Sequence, residues 1–250
     1  MKTIIEYLKQ AEKNYGEKIA VIEENRTCTY DELVNGAKRI GTAIISKTSV
    51  RKPVPVLMEK GINALSVFFG AVFAGDYYVF LNPDLPENRL KDIFEILESD
   101  ILITDKDHLE IASKISDKYT LFEDINDTQI DENKLEAVRK QSMSLDPLYV
   151  NFTSGSTGKP KGVVVDNKSV IEFIEIFTDK FAPFFKKENR IIISREENNF
   201  ENSADLKTDY LKKHLIKGTT ILVDDDIRVI DKIKEEVPEV KLYKDTCLVD

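Results

Sequence analysis

The stretch from Tyr149 to Val163 reads YVNFTSGSTGKPKGV, and it decides how the rest of the chain is interpreted. Between its two apolar ends, residues 153–161 hold four hydroxyl side chains, two glycines and two lysines. Glycine lets a backbone turn sharply and approach a ligand closely, so successive N–H groups can point at one anion. The hydroxyls add hydrogen-bond donors, and the lysines add positive charge. This composition between two apolar strands predicts a loop that holds the phosphates of a nucleotide.

The candidate phosphate-binding residues are the hydroxyl, glycine and lysine residues of this loop. They are Thr153, Ser154, Gly155, Ser156, Thr157, Gly158, Lys159 and Lys161. The loop is not a Walker A motif, because Lys159 is followed by Pro160 and then by a strand, where that motif needs Ser or Thr and a helix. The composition alone is also compatible with a flexible Gly/Ser-rich hairpin that binds no ligand.

The complete ordered string resembles the phosphate-binding signature of the adenylate-forming, or AMP-binding, superfamily. That superfamily includes nonribosomal peptide synthetase adenylation domains, D-alanine–carrier-protein ligases, acyl-CoA synthetases and luciferases. Two further segments are similar to its amino-acid-activating branch in order and spacing. They are TYDEL at residues 29–33 and FAGDYYVFLNP at residues 73–83, which continues as PENRL at residues 86–90. The chain is therefore similar to the N-terminal part of an amino-acid adenylation domain or a D-alanine–carrier-protein ligase.

The order of apolar segments predicts the fold class. Short apolar runs alternate with amphipathic helical stretches, which predicts an α/β fold with largely parallel strands. Thr29 and Glu32 predict a capping box at the start of one helix. The apolar stretch Ile62–Phe73 predicts a buried helix that Gly75 is placed to end, whereas the polar residues 123–133 predict a surface loop. The resemblance implies layered, largely parallel sheets with flanking helices, as in the N-terminal subdomains of adenylate-forming enzymes.

The resemblance weakens along the chain of residues 1–250. Residues 1–181 match the family well, residues 182–223 match it weakly, and residues 224–250 stay unassigned. The family's Tyr-Gly-x-Thr-Glu segment, its ribose-binding aspartate and its small C-terminal domain are not found in the sequence. We therefore expect a truncated N-terminal adenylation domain that lacks the small C-terminal domain.

Two departures from the family concern the substrate and the metal. The segment FENS at residues 200–203 resembles a weakened Phe-Asp-x-Ser segment, whose aspartate contacts the substrate's amino group in the family. The resemblance makes Glu201 the substrate-binding candidate, and a solvated polar loop is the alternative. Asn167 stands where the family often has a histidine. ATP and Mg²⁺ are implied by the resemblance, but the metal-holding segment is not found, so no metal ligand and no catalytic residue are assigned.

The composition narrows the classes of partner. The chain has 36 Lys and Arg against 45 Asp and Glu, a net charge of −9. An acidic chain without a basic stripe argues against a nucleic acid or a membrane surface as partner. The apolar runs fall short of the roughly 20 residues that cross a bilayer. The start of the chain also lacks the apolar core of a signal peptide, so we expect a cytoplasmic location.

The resemblance implies that a domain of this kind activates a carboxylic acid with ATP. The product would be an acyl-adenylate whose acyl group passes to a thiol carrier. An amino acid is the substrate class implied by the nearest branch, and a fatty or aryl acid stays open. The alternative is a non-catalytic truncated or split adenylation subdomain, which at most binds nucleotide phosphates. A split enzyme would need a separate C-terminal chain to complete it.

Overall fold

The computed structural model describes residues 3–23, 26–154, 159–181, 208, 212, 221–224, 227–238 and 241–244. The chain divides into two compact units, Met1–Glu175 and Ile176–Asp250. Within the described residues, every helix is too short or too polar to cross a lipid bilayer.

The first unit begins with two helices and a small hairpin. These elements are α1 (Ile4–Tyr15), β1 (Ile19–Ile22), β2 (Thr27–Thr29) and α2 (Tyr30–Ile45), and β1 pairs with β2 in antiparallel fashion. The predicted capping box is present at the start of α2. Thr29 Oγ1 accepts the Glu32 N–H at 3.2 Å, and the Glu32 carboxylate accepts the Thr29 N–H at 2.8 Å. Two otherwise unpaired N–H groups are thus satisfied by residues three apart.

A six-stranded sheet forms the centre of this unit. Its strands are β3 (Pro53–Leu57), β4 (Tyr77–Leu81), β5 (Leu102–Thr104), β6 (Tyr119–Leu121), β7 (Pro147–Ser154) and β8 (Pro160–Asp166). The spatial order is β6-β5-β3-β4-β7-β8, and every pair is parallel except β7 with β8. The predicted α/β fold with a largely parallel sheet is confirmed.

Helices connect the strands and cover the sheet. They are α3 (Ile62–Phe73), α4 (Glu87–Leu97), α5 (Leu109–Ile115), α6 (Phe122–Ile125), α7 (Glu132–Arg139) and α8 (Asn167–Phe181). The predicted bounds of α3 are confirmed, and Gly75 follows it with φ +77°, a conformation that glycine adopts without steric cost. The surface loop predicted at residues 123–133 is confirmed only for residues 126–131, and the prediction is wrong at both ends of that segment. The structure has α6, whose Phe122 and Ile125 are buried, at the start of that segment, and α7 begins at Glu132 at its end.

Two apolar cores lie on opposite faces of the sheet. Neighbouring residues of a strand point to opposite faces, so Val56 and Leu57 of β3 enter different cores. Val56 packs in a cluster with Ile44 of α2, whereas Leu57 packs in a cluster with Leu90 of α4. The helices on both sides therefore explain why the residues of β3 are buried throughout.

The described part of the second unit is a short β-α-β segment. It consists of β9 (Ile221–Asp224), α9 (Ile227–Glu236) and β10 (Lys241–Lys244), and the two strands are parallel. Ile233 of α9 is fully buried. A helix between two parallel strands is the usual connection for such a pair.

Candidate functional site

The antiparallel pair β7–β8 holds both ends of the predicted phosphate loop. Thr153 stands opposite Lys161, and Ser154 stands opposite Pro160. The Thr153 hydroxyl lies 3.5 Å from the Lys161 carbonyl oxygen, a long hydrogen bond that closes the stem. The backbone of the loop therefore leaves and re-enters the sheet at adjacent positions, which is the geometry of a hairpin.

A glycine keeps this stem closely packed. Gly162 stands opposite Phe152, and a Cβ added to Gly162 would lie 3.3 Å from Cζ of the Phe152 ring and 3.0 Å from Cγ1 of Val150. Both contacts are tighter than ordinary van der Waals distance, so a side chain here would require the Val150 and Phe152 side chains to shift by a few tenths of an ångström. The glycine allows the Phe152 ring to lie against β8.

The stem ends at the carboxyl edge of the parallel strands. β7 runs parallel to β4, so the loop after Ser154 leaves the sheet at the edge where the segments after β3 and β4 also leave it. Ligands of open α/β sheets bind at this edge. Lys159 and Lys161 are exposed, and no ion pair within the described part of the chain involves either amino group. Their charges are available to an anion.

Arg89 joins the site and was missed by the sequence analysis. It lies in the first turn of α4, and its Nη2 donates a hydrogen bond to the Thr153 carbonyl oxygen at 3.2 Å. The segment at residues 86–90 stands out in the sequence only for its family likeness. One signal could have identified Arg89. It follows one strand of the sheet, and the predicted phosphate loop follows another strand that is parallel to the first.

An aromatic stack lies where β4 meets β7. The ring centroids of Tyr78 and Tyr149 are 5.5 Å apart, and those of Phe68 and Tyr78 are 4.4 Å apart. Burial raises the pKa of Tyr78 to about 12, with a smaller contribution from Tyr149. Tyr78 is therefore neutral at physiological pH, and it supports the sheet through packing instead of proton transfer.

Asn167 has a structural role at the position where the family often has histidine. Its side chain is 4% exposed. Its Oδ1 accepts the Ile4 N–H at 3.2 Å, and its Nδ2 donates to the Asp146 carbonyl oxygen at 3.1 Å. Because both ends of the amide are used, Asn167 ties the start of α1 to the residue that precedes β7.

The remaining candidates lie partly outside the described residues. Thr153, Lys159 and Lys161 are described with their side chains, and Ser154 is described as part of β7. Outside the described residues lie Gly155, Ser156, Thr157, Gly158 and the substrate-binding candidate Glu201. Among the described residues no group of three or more His, Cys, Asp or Glu side chains could hold a metal ion. No described residue is therefore assigned to Mg²⁺.

Comparison with known proteins relates the chain to a family. The sequence pattern of the family described as AMP-binding enzyme matches residues 8–193. The chain is 32% identical over 171 residues to a mycosubtilin synthase protein of Bacillus subtilis, an overlap of 68% of this chain and 6% of that protein. It is 25% identical over 182 residues to tyrocidine synthase 1 of Brevibacillus parabrevis, an overlap of 72% of this chain and 17% of that protein.

A solved structure shares the fold. The fatty acyl-adenylate ligase from L. pneumophila, determined in complex with acyl adenylate and pyrophosphate, superimposes with a TM-score of 0.61 at 21% sequence identity. The overlap covers 72% of this chain and 33% of that one. The chain thus spans only a small part of the length of the proteins to which it is similar. At this level of identity the likeness concerns the fold alone.

Proposed function

Because the chain belongs to the AMP-binding enzyme family, we propose that its six-stranded unit binds the phosphates of ATP and serves in the adenylation of a carboxylic acid. The β7–β8 hairpin carries this proposal, since it holds Thr153 and Lys161 in register at the carboxyl edge of the sheet. The chain has a net charge of −9, and its overall field repels a nucleotide. The exposed Lys159 and Lys161 would supply the local attraction.

The proposed reaction joins a carboxylate to AMP. A carboxylate oxygen of the acid attacks the α-phosphorus of ATP, and the bond from that phosphorus to the oxygen bridging the α- and β-phosphates breaks. The electron pair of that bond leaves with pyrophosphate. The product is an acyl-adenylate. The sulfur of a carrier thiol, having lost its proton, would attack the acyl carbon, form a thioester and release AMP. Hydrogen-bond donors and cations that face the phosphates stabilise the negative charge that develops on the leaving pyrophosphate.

The residues of the loop have distinct tasks in this proposal. The glycines bring backbone N–H groups close to the phosphates, the hydroxyls donate to phosphate oxygens, and the lysines neutralise charge. The proposed set is Thr153, Ser154, Gly155, Ser156, Thr157, Gly158, Lys159 and Lys161. When bound, Mg²⁺ would neutralise part of the phosphate charge. The chemistry of the described donors fits phosphate, whereas no described side-chain cluster fits the metal.

The proposed substrate class is an amino acid. The likeness of residues 29–33 and 73–83 to the amino-acid-activating branch supports this choice, and Glu201 is the proposed contact for the amino group. A carrier protein, or a separate C-terminal chain that completes the enzyme, would be the macromolecular partner. Residues 1–181 are proposed to provide the phosphate loop and its sheet.

ATP–pyrophosphate exchange tests the proposal. The purified chain is incubated with Mg²⁺, ATP and labelled pyrophosphate together with each member of a panel of amino acids and simple carboxylic acids. Exchange that depends on one acid would identify the substrate. The absence of exchange across the panel, combined with the absence of pyrophosphate binding, would refute the proposal.

Direct binding of pyrophosphate separates the loop from the rest of the reaction. The double variant Lys159→Ala, Gly158→Val should bind pyrophosphate roughly tenfold more weakly or worse, because one charged contact is worth about 1.5 kcal/mol or more. Lys118→Ala is the matched control, since Lys118 is an exposed lysine of the same unit that pairs with Asp100. Equal affinity of the double variant and the control would exclude this loop as the phosphate site.

A further inference from the structure

Arg89 connects the first turn of α4 to the entrance of the phosphate loop. Its Nη2 lies 3.2 Å from the Thr153 carbonyl oxygen, and the two residues are 64 apart in sequence. Lys91 on the same helix has another partner, because its Nζ donates a hydrogen bond to the Glu87 carboxylate at 2.7 Å. No carboxylate in the described part of the chain forms an ion pair with Arg89. Within the described residues, the Thr153 carbonyl oxygen is therefore the hydrogen-bond acceptor of this guanidinium.

The sheet explains why such a contact is needed. β4 pairs with β7 through Tyr78 and Tyr149. Past this pair β4 ends at Leu81, three residues on, whereas β7 continues for five residues to Ser154. β7 therefore extends beyond β4 at the edge where Thr153 lies. Arg89 provides a hydrogen-bond partner where the neighbouring strand has ended.

We propose that Arg89 is a positioning residue that holds the Thr153 carbonyl, and with it the entrance of the phosphate loop, in the conformation that receives a nucleotide. The nucleotide part of this inference rests on the proposed function, whereas the contact itself does not. Arginine suits the task, because its guanidinium is always charged and its planar fork loses little freedom on forming a hydrogen bond. A contact that fixes Thr153 before the ligand arrives lowers the entropic cost of binding.

Hydrogen exchange of the ligand-free full chain tests the contact directly. Wild type, Arg89→Ala and Lys91→Ala are compared by mass spectrometry over peptides that cover residues 150–162. We expect Arg89→Ala to speed exchange in these peptides by about tenfold, because the variant loses one hydrogen bond from a charged donor. Lys91→Ala removes one positive charge from the same helix and should match wild type.

Chemical rescue distinguishes positioning from a general effect on stability. Guanidinium ion at low millimolar concentration should restore slow exchange near the loop in Arg89→Ala, and sodium chloride of equal ionic strength should not. If Arg89 acted only through overall stability, exchange would rise throughout the chain, and added guanidinium would not reverse it. Either that general rise or unchanged exchange in residues 150–162 would overturn the proposal.

Pyrophosphate binding, measured by calorimetry on the same variants, connects the contact to the site. Arg89→Ala should weaken binding by about tenfold, and guanidinium should recover most of that loss. Faster loop exchange with unaltered pyrophosphate affinity would overturn the role of Arg89 in nucleotide binding. Faster loop exchange in Arg89→Ala, together with a wild-type chain that binds no pyrophosphate, would refute the proposed function while the contact stands.

Discussion

Asp76 is a buried carboxylate immediately before β4, and we expect its titration to alter the stability of the fold. Its side chain accepts the Thr48 hydroxyl at 2.6 Å and the Lys52 N–H at 2.9 Å, and only 2% of the residue is exposed. Burial raises the pKa of Asp76 to about 6 from its usual 3.8, although the bonds from Thr48 and Lys52 act in the opposite direction. Desolvation is thus the dominant effect.

The sign and size of the effect follow from this pKa. Between pH 3.8 and about pH 6 the folded chain holds a proton on Asp76 that the unfolded chain has released. The free energy of unfolding therefore falls as pH rises through this window. A difference of about two pKa units corresponds to about 3 kcal/mol at most, since one unit is about 1.4 kcal/mol. The stabilisation is fully present below pH 3.8 and is lost above about pH 6.

The variant Asp76→Asn removes the ionisation and keeps the hydrogen bonds. The amide oxygen would accept the Lys52 N–H, and the amide nitrogen would donate to the Thr48 hydroxyl, which then donates to the Ile44 carbonyl oxygen, 3.2 Å away. Urea unfolding followed by circular dichroism gives the free energy of unfolding of wild type and variant at each pH. The difference, wild type minus variant, should fall by about 2 kcal/mol between pH 4 and pH 7, because part of the stabilisation is already lost at pH 4.

Two features of the experiment make its result decisive. Taking the difference removes the contributions of all other titrating groups, and micromolar protein avoids precipitation near the isoelectric point of about 5.0. A difference in unfolding free energy between wild type and Asp76→Asn that stays constant from pH 4 to pH 7 would refute the account of Asp76.

Two further predictions concern packing and backbone strain in the first unit. Gly70→Ala should lower the free energy of unfolding, measured by thermal unfolding, by about 1–3 kcal/mol, because the added Cβ would lie 2.7 Å from Cγ2 of Ile40. Gly36→Ala is the control, because its added Cβ would come closest to the movable Ser66 hydroxyl, at 3.2 Å. Arg51→Ala and Arg51→Gly both lose the 2.7 Å contact from Nε to Asp146. Since Arg51 has φ +64°, a conformation that favours glycine, the glycine variant should be more stable than the alanine variant by about 0.5–1 kcal/mol in urea unfolding. Equal stabilities would show that the backbone at this residue is not strained.

Several elements could be predicted from the sequence because their causes are local. The capping box at Thr29 and Glu32 needs only two residues three apart. The helix Ile62–Phe73 needs only a continuous apolar stretch that ends before Gly75. The family was recognisable from residues 149–163 for the same reason, since the glycines, hydroxyls and lysines of a phosphate loop are consecutive. The match over residues 8–193 confirmed it.

Other elements were not predictable, because distant residues determine them. Residues 123–133 are mostly polar, which favours a loop, but Phe122 and Ile125 of α6 are buried against the core formed around β3 and β5. The strand β6 is only three residues long and is stabilised by its pairing with β5. Neither segment has a periodicity long enough to identify it.

The sequence by itself determined the α/β class and the family and predicted the position of a phosphate loop, because each depends on the types and order of neighbouring residues. Only the tertiary structure showed that Arg89 contacts the Thr153 carbonyl, that Asn167 joins α1 to the chain before β7, and that Asp76 is desolvated. These properties depend on contacts between segments far apart in the chain. Burial and hydrogen bonding across such distances arise only when the sheet and its helices have packed together.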